Sequence, residues 1–240
     1  MTNSEKKAIL EASKHWFYQD IAQQHIENTK KLSDISNFNI NPFLAIYLAN
    51  FLTGNSKPES IAKALIYPRV LGTSITTSFG TNIQKFTSIV LPSFGSTTPG
   101  IDIEFVDCLD HTKKYCQLKA GPNTINKDDV ESIAGHFKST INLSKTNNLR
   151  ISFSDLIVGV IYGTESELSG HYKRITSQYH YPVIVGQDFW LRLTGDKDFY
   201  FDLIKAISDI AIGTDFSKEL DTVIHELATS QKIQELAKKV

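Results

Sequence analysis

The chain has little cysteine: two residues, Cys108 and Cys116, in a sequence of 240. Two thiols do not build a disulfide scaffold or a four-cysteine zinc site. The seven histidines stand at no zinc-like spacing, so a structural zinc is not expected either. No apolar run approaches the roughly 18 residues that a membrane span requires. The opening MTNSEKKAILEASKHW is polar, then amphipathic, without the apolar core of a secretory leader, and the cytoplasm is the expected compartment. The GxxxxGK phosphate loop is missing, which argues against nucleotide hydrolysis. There is no internal repeat and no low-complexity tract. There is also no excess of charge: 25 Lys and Arg against 26 Asp and Glu give a net charge of −1. Such balance neither requires nor excludes a polyanionic partner, because a local basic cleft is compatible with acidic residues elsewhere.

What is present is an ordinary globular composition, 41% hydrophobic and 21% charged. The length suits one large domain or a core with a helical attachment. The first sixty or so residues predict helices. Ile9, Trp16, Ile21 and Ile26 recur at loosely helical spacing after Ser4, a candidate N-cap. NPFLAIYLANFL carries Pro42 in a first-turn position, and KPESIAKALIYP predicts a short helix stopped by Pro68. TSFGTNIQKFTSIVL places Ile83, Phe86, Ile89 and Val90 on one helical face. After the turn-rich STTPG, IDIEFVDC alternates as a half-buried strand, LDHTKK connects, and YCQLKA returns. DDVESIAGHFKSTINL reads as a helix with Asp128 and Asp129 at its positive end. DLIVGVIYG and YPVIVG are continuous apolar runs of strand length, as expected of strands buried on both faces. Helices follow over QDFWLRLTG, KDFYFDLIKAISDIAIG and DFSKELDTVIHELATSQKIQELAKKV, with Phe189 and Trp190 in the core. The expected fold is α/β, a mixed central sheet flanked by helices, with a helical N-terminal region over 1–66 and the core over 67–240.

Alternation in the hairpin makes a geometric statement. Ile101, Ile103 and Phe105 share one face of the first strand, with Asp102 and Glu104 on the other. Cys116, Leu118 and Ala120 share one face of the second, opposite Tyr115, Gln117 and Lys119. If the apolar faces coincide, Asp102, Gln117 and Lys119 converge. The same parity points Cys108 and Cys116 in opposite directions, so both are expected to be reduced. A carboxylate, an amide oxygen and the Leu118 carbonyl are hard oxygen donors suited to Mg²⁺. The Lys119 ammonium would orient a water and stabilise charge on a phosphate. Alternation alone also fits an ordinary solvated strand face.

PGIDIEF followed by YCQLKAG resembles the PD-(D/E)xK nuclease signature, with Pro99 and Asp102 near a bend and Gln117-Leu118-Lys119 on the hairpin return. INPF, YPRVLG, QLKAGPNTIN, IVGVIYG, HYKRI and GQDFW then occur in order. That series resembles type II restriction endonucleases of the subgroup cutting GGNCC-centred sites, the RGGNCCY type. LGTSITTSFGTNIQ is similar to an element of related type II enzymes. The resemblance runs from about Ile40 to Ile212. It implies a PD-(D/E)xK core and a Mg²⁺-dependent homodimer that cuts both strands of a palindromic duplex, paired in function with a cognate DNA methyltransferase. It also implies Asp102 as the bridging metal ligand and Lys119 as the catalytic lysine, with Gln117 where the family usually carries Glu or Asp. That departure leaves the shell one negative charge short. Either the amide suffices, or Glu104, Asp107 or a helix carboxylate such as Glu59 supplies the charge.

Further candidates surround this group. Gln84 lies on a predicted helix and is either a metal-water or DNA contact or a surface or packing residue. Asn123, Thr124, Asn126 and Lys127 follow the lysine, where short donors suit phosphate contacts; the alternative is a plain strand-to-helix loop. His171, Lys173 and Arg174 form a basic cluster read as a DNA contact, the alternative being an ordinary solvated face. Arg69 is suited equally to a carboxylate partner or a phosphate. Two other functions stay open: a repair or junction-resolving nuclease on the same core, and a catalytically weak DNA-binding protein in which Gln117 marks lost metal binding.

Overall fold

The computed structural model describes residues 1–148 and 150–238, with the side chain of Gln84 outside that description. Helix α1 (Asn3–Trp16) opens the chain. Its cap is Thr2 and not the expected Ser4: the Thr2 hydroxyl accepts the Glu5 N–H at 3.2 Å, and the Glu5 carboxylate accepts the Thr2 N–H at 2.7 Å. This reciprocal pair satisfies donors that a helix start otherwise leaves open. A π-helical stretch, Phe17–Gln23, leads into α2 (Gln24–Lys30). Helix α3 (Pro42–Thr53) is capped by the Asn41 side chain and ends at Gly54, whose φ of 75° suits a residue without Cβ. Helix α4 (Pro58–Pro68) does not stop at its proline as expected. The backbone continues through a π-helical segment, Arg69–Ser74, into α5 (Ile75–Thr81), and α6 (Ile83–Val90) follows. Proline forfeits one N–H bond, and the wider turn after it keeps the backbone helical.

The hairpin strands are β1 (Ile103–Val106) and β2 (Lys113–Lys119). Then come α7 (Lys127–Thr146), β3 (Leu156–Val160), α8 (Gly170–Tyr179) and β4 (Val183–Val185). The sheet order is β1-β2-β3-β4, antiparallel between β1 and β2 and parallel thereafter. Among the described residues four helices follow: α9 (Gln187–Thr194), α10 (Phe199–Gly213), α11 (Ser217–Thr229) and α12 (Gln231–Ala237). The sequence predicts the last two as one helix; Ser230, extended at ψ 139°, divides them. Helix α8 was expected only as a basic cluster.

Strand β3 is buried along its whole length, as its unbroken apolar run requires. Leu156, Val158 and Val160 pack with Val130, Ile133 and Phe137 of α7 and with Tyr172 and Ile175 of α8. Each such side chain contributes roughly 1.5–3 kcal/mol by burial. On the other face, a Cβ on Gly159 would fall 2.5 Å from the Phe189 ring, so glycine lets α9 approach the sheet. Phe189 and Trp190 are core residues, as expected, and the indole of Trp190 donates to the Ile161 carbonyl at 2.9 Å.

The chain forms two compact units, Met1–Trp16 with Gly80–Asp209, and Phe17–Phe79 with Ile210–Val240. This division departs from the 66/67 boundary because α1 packs on α6, while α11 and α12 pack on α4. In the second unit Ala62, Ile66 and Val70 meet Val223, Ile224 and Leu227. Ala45 and Ala49 of α3 meet Ile61 and Ile233. Ile46 is half-buried against the same cluster, whereas six apolar residues of α3 are exposed: Phe43 (85%), Leu44, Tyr47, Leu48, Phe51 (77%) and Leu52. Among the described residues no helix is long and apolar enough to cross a membrane.

Candidate active site

Ile103 stands opposite Cys116 and Glu104 opposite Tyr115, a register that sets Asp102 across from Gln117. Asp102, Gln117 and Lys119 line one cavity of about 690 Å³ at the C-terminal end of β2. Ligands collect at such strand ends in sheets with parallel crossovers. Helix α7 supplies a wall through Asp129, Ser132, Ile133 and His136, the i, i+3, i+4, i+7 face of a helix. Gly80, Thr81, Ile83 and Thr87 from α5 and α6 form another part of the lining. One detail of the hairpin differs from alternation. The strand starts at Ile103, and Ile101 packs in the cluster containing Val130 and Ile133. Its N–H bonds the Thr98 carbonyl at 3.1 Å in a turn, which releases it from the strand's parity.

Asp102 is fixed at both ends. Its N–H donates to the Cys116 carbonyl at 3.0 Å, and its Oδ2 accepts the Leu118 N–H at 2.7 Å. Burial pushes its carboxyl above the usual value, although the Leu118 N–H and the charge of Lys119 pull the other way. The site therefore holds a carboxylate whose charge is incompletely compensated by the protein. Lys119 is half-buried, and its ammonium has no ion-pair or hydrogen-bond partner among the described residues.

Gln117 is only 5% exposed. Its Nε2 lies 2.5 Å from the Gly100 carbonyl and 2.7 Å from Nδ1 of His136. A carbonyl only accepts, so the atom facing it is the amide nitrogen, and Oε1 is left without a hydrogen-bond partner among the described residues. The β1–β2 ladder ends before Leu118, which leaves that residue's carbonyl beyond the paired edge. One carboxylate, one amide oxygen and one main-chain oxygen fit a hard divalent cation by donor type. Among the described residues no group of three His, Cys, Asp or Glu side chains is placed to hold a metal. A cation held here would rely on neutral oxygens beside Asp102. The other carboxylate in the lining is Asp129, one of whose oxygens accepts the Asn126 N–H at 2.9 Å.

Residues 11–215 match the family of type II restriction endonuclease EcoO109I. The chain belongs to that family. It is a nuclease, a hydrolase whose substrate is DNA. A comparison with individual curated proteins gives no match. The matched range contains the whole sheet, α7, α8 and every residue of the cavity.

The endonuclease disposes of the other candidate residues in several ways. Glu104 is engaged by Lys113 at 2.6 Å, Ser96 at 2.6 Å and Thr98 at 2.7 Å. Burial opposes its ionisation, but these three bonds outweigh it and hold the carboxyl below its usual value. Asp107 is fully buried against Arg192 at 2.7 Å. Glu59 belongs to the second unit, 3.7 Å from His225, and none of these three lines the cavity. Thr124 does line it, with its hydroxyl donating to the Gly121 carbonyl at 2.8 Å. Asn126 caps α7 by accepting the N–H groups of Asp128 and Asp129, while Asn123 and Lys127 are exposed. On α8, Lys173 is exposed and Arg174 donates to Gln178 at 2.6 Å. His171, half-buried, starts the same helix. Arg69 lies over the Phe38 ring at 4.7 Å, a cation–π contact in place of the expected carboxylate or phosphate. Gln84 falls outside the described side chains. Both cysteines are free, as parity anticipated.

Sequence reasoning missed His136 and Tyr172. The Tyr172 hydroxyl donates to the Gly121 carbonyl at 2.9 Å and ties α8 to the loop after Lys119. Burial pushes its phenol up to about 12. The helical period of α7 from Asp129 to His136 was the one signal available for the histidine.

Proposed function

We propose that the protein is a Mg²⁺-dependent homodimeric type II restriction endonuclease on a PD-(D/E)xK core. It would cut a palindromic duplex of the GGNCC-centred, RGGNCCY type, in the cytoplasm, alongside a cognate DNA methyltransferase. The observation that carries this reading is the meeting of Asp102, Gln117 and Lys119 in one cavity at the end of β2. Asp102, Gln117 Oε1 and the Leu118 carbonyl would hold the cation. When bound, Mg²⁺ supplies charge stabilisation for the reacting phosphate. Lys119 holds the attacking water and faces the charge that builds on phosphorus oxygens. Water adds to phosphorus, one P–O ester bond breaks, and the departing oxygen takes a proton. The uncommitted Lys119 ammonium and the incompletely compensated Asp102 support these roles. Thr124 borders the phosphate path, while Asn123, Lys127, His171, Lys173 and Arg174 are the proposed outer DNA contacts.

The helical ends, before Tyr67 and after Gly186, are proposed to supply dimer contacts and part of the DNA clamp. The exposed apolar face of α3 supports a second copy as its partner, since a two-fold dimer presents one half to each half-site. Digestion of a mixed-sequence unmethylated plasmid with Mg²⁺, followed by sequencing of the cut ends, tests the proposal. Discrete fragments with one shared end sequence are expected. Nicking that follows DNA structure would instead make this a junction or repair nuclease, and binding without cleavage would make it a DNA-binding protein.

A further inference from the structure

We propose that His136 is a positioning residue that holds Gln117 in the one amide orientation able to serve a cation; this rests on the metal-ligand reading of Gln117. An amide has two faces that differ chemically: Oε1 donates electrons to a cation, and Nε2 repels one. A glutamine in place of a carboxylate is therefore useful in one of its two orientations, whereas a carboxylate works in both. Something must select that orientation, at a site where Gln117 is 5% exposed and water does little of the selecting.

Two acceptors on the protein side do this. The Gly100 carbonyl at 2.5 Å can only accept and takes one Nε2–H proton, and His136 Nδ1 at 2.7 Å takes the other in the tautomer protonated at its own Nε2; an inverted amide would set Oε1 against the carbonyl and, in that tautomer, against the Nδ1 electron pair. The bond to Nδ1 also fixes the imidazole proton on Nε2 of His136. Gly100 is part of the same device. Its φ is +78°, and a Cβ there would stand 2.6 Å from Cγ of His136, so only glycine admits the ring this close to the carbonyl. A glutamate at 117 would put an anionic oxygen against the Gly100 carbonyl, which gives a physical reason for the departure from the family's acidic residue. His136 comes from α7 and not from the strand that carries Gln117 and Lys119, so the helix would take part in the metal site without donating a ligand.

The test uses the full-length protein and Mn²⁺ alone, measured by titration calorimetry and by the Mn²⁺-induced rise in Tm. His136→Ala removes the acceptor. His136→Asn keeps one, because Asn Oδ1 occupies nearly the place of His Nδ1. Losing such an outer-shell partner costs about 10–100-fold in metal affinity. His136→Ala is expected to weaken Mn²⁺ binding by at least about tenfold, and His136→Asn to restore it to within about threefold of the native protein. Native affinity in His136→Ala, or equal loss in both variants, would overturn the proposal. Asp102→Asn separates this failure from a failure of the site. If Asp102→Asn abolishes Mn²⁺ binding and His136→Ala does not, only the positioning role falls. If Asp102→Asn binds Mn²⁺ normally, the metal site falls and the positioning role with it.

Discussion

The two units break the rule that polar groups face water and apolar groups do not, and they break it in opposite directions. In the sheet unit, Gln117 is buried and Asp102 carries a charge that its surroundings do not fully compensate. In the helical unit, Phe43, Leu44, Tyr47, Leu48, Phe51 and Leu52 stand exposed along α3 while only Ala45 and Ala49 of that helix are buried. Neither departure adds to the stability of the isolated chain. A buried carboxylate short of partners costs free energy, and exposed aromatic and aliphatic surface forgoes burial. What would offset the first is a cation, and what would offset the second is another apolar surface. The contrast teaches that each unit is incomplete in the chemistry of a different partner.

The sharpest test of the first half lies at Asp102 and Lys119. Lys119→Ala should lower plasmid cleavage by about 10²–10³-fold or more, because a group aimed at developing charge is lost. Asp102→Asn should abolish cleavage and yet raise the stability of the metal-free enzyme by about 1 kcal/mol, read as a higher Tm. The neutral amide keeps the Leu118 N–H bond and drops the uncompensated charge. The pH dependence has a definite sign. The folded carboxyl has its value raised above the ordinary 3.8, so the folded state takes up this proton before the unfolded chain does. Metal-free stability therefore gains as pH falls through the window just above 3.8, and Asp102→Asn should remove that gain. An Asp102→Asn variant less stable than the native protein at neutral pH would break the comparison.

The second half is tested at α3. If α3 forms the proposed dimer contact, Phe51→Glu or Leu44→Glu should shift the protein from dimer to monomer, with the dimer constant weakened by about 30-fold or more, as expected for a buried anchor worth about 2 kcal/mol. Sedimentation velocity across a concentration series reads this directly. Tm extrapolated to low concentration should stay near native, because these side chains bury little within the chain. A native protein that remains monomeric at high concentration would leave α3 without its proposed partner.

Much of the sheet unit was legible because its signals are local. Period-two alternation placed Asp102, Gln117 and Lys119 together, and the unbroken LIVGV run announced a strand covered on both faces. What sequence did not reveal depends on neighbours far along the chain. His136 enters the site only because α7 packs over β2 and β3, and the spacing of α7 says which residues share a face but not what that face meets. Glu104 has the same parity as Asp102, yet Ser96, Thr98 and Lys113 claim it. Pro68 reads as a stop, and a π-helical turn carries the helix past it. Helix α3 was legible as a helix; the exposure of its apolar face was not, since hydrophobicity alone predicts burial.

Glu104 and Asp102 give the comparison its internal control, being two carboxylates from one short segment with opposite shifts. Glu104→Gln should lose about 1 kcal/mol of stability, with cleavage retained to within about threefold, because Glu104 holds the hairpin and not the cavity. Its folded carboxyl lies below the ordinary 4.5, so its contribution is full above that value and is lost as pH falls through the folded one. Acid titrations of stability for the native protein and Glu104→Gln should therefore converge at low pH. Loss of metal binding in Glu104→Gln would instead assign it to the shell.

The smallest expected effect concerns the loop after the lysine. Asn126 was a candidate phosphate contact, but its Oδ1 already accepts the Asp128 and Asp129 N–H groups at 2.8 and 3.0 Å, and Asp129 returns a bond to the Asn126 N–H. Asn126→Ala should cost about 1 kcal/mol through the lost cap, and Asn126→Ser should recover most of it. If capping is the whole of its role, DNA affinity measured in Ca²⁺ follows Tm across the pair. If Asn126→Ser restores Tm but not DNA affinity, the amide also reaches a phosphate, because serine replaces the acceptor of Asn and not its N–H donors. The comparison then sharpens at the level of one side chain: an acceptor turned inward to start α7, and a donor turned outward to the nucleic acid.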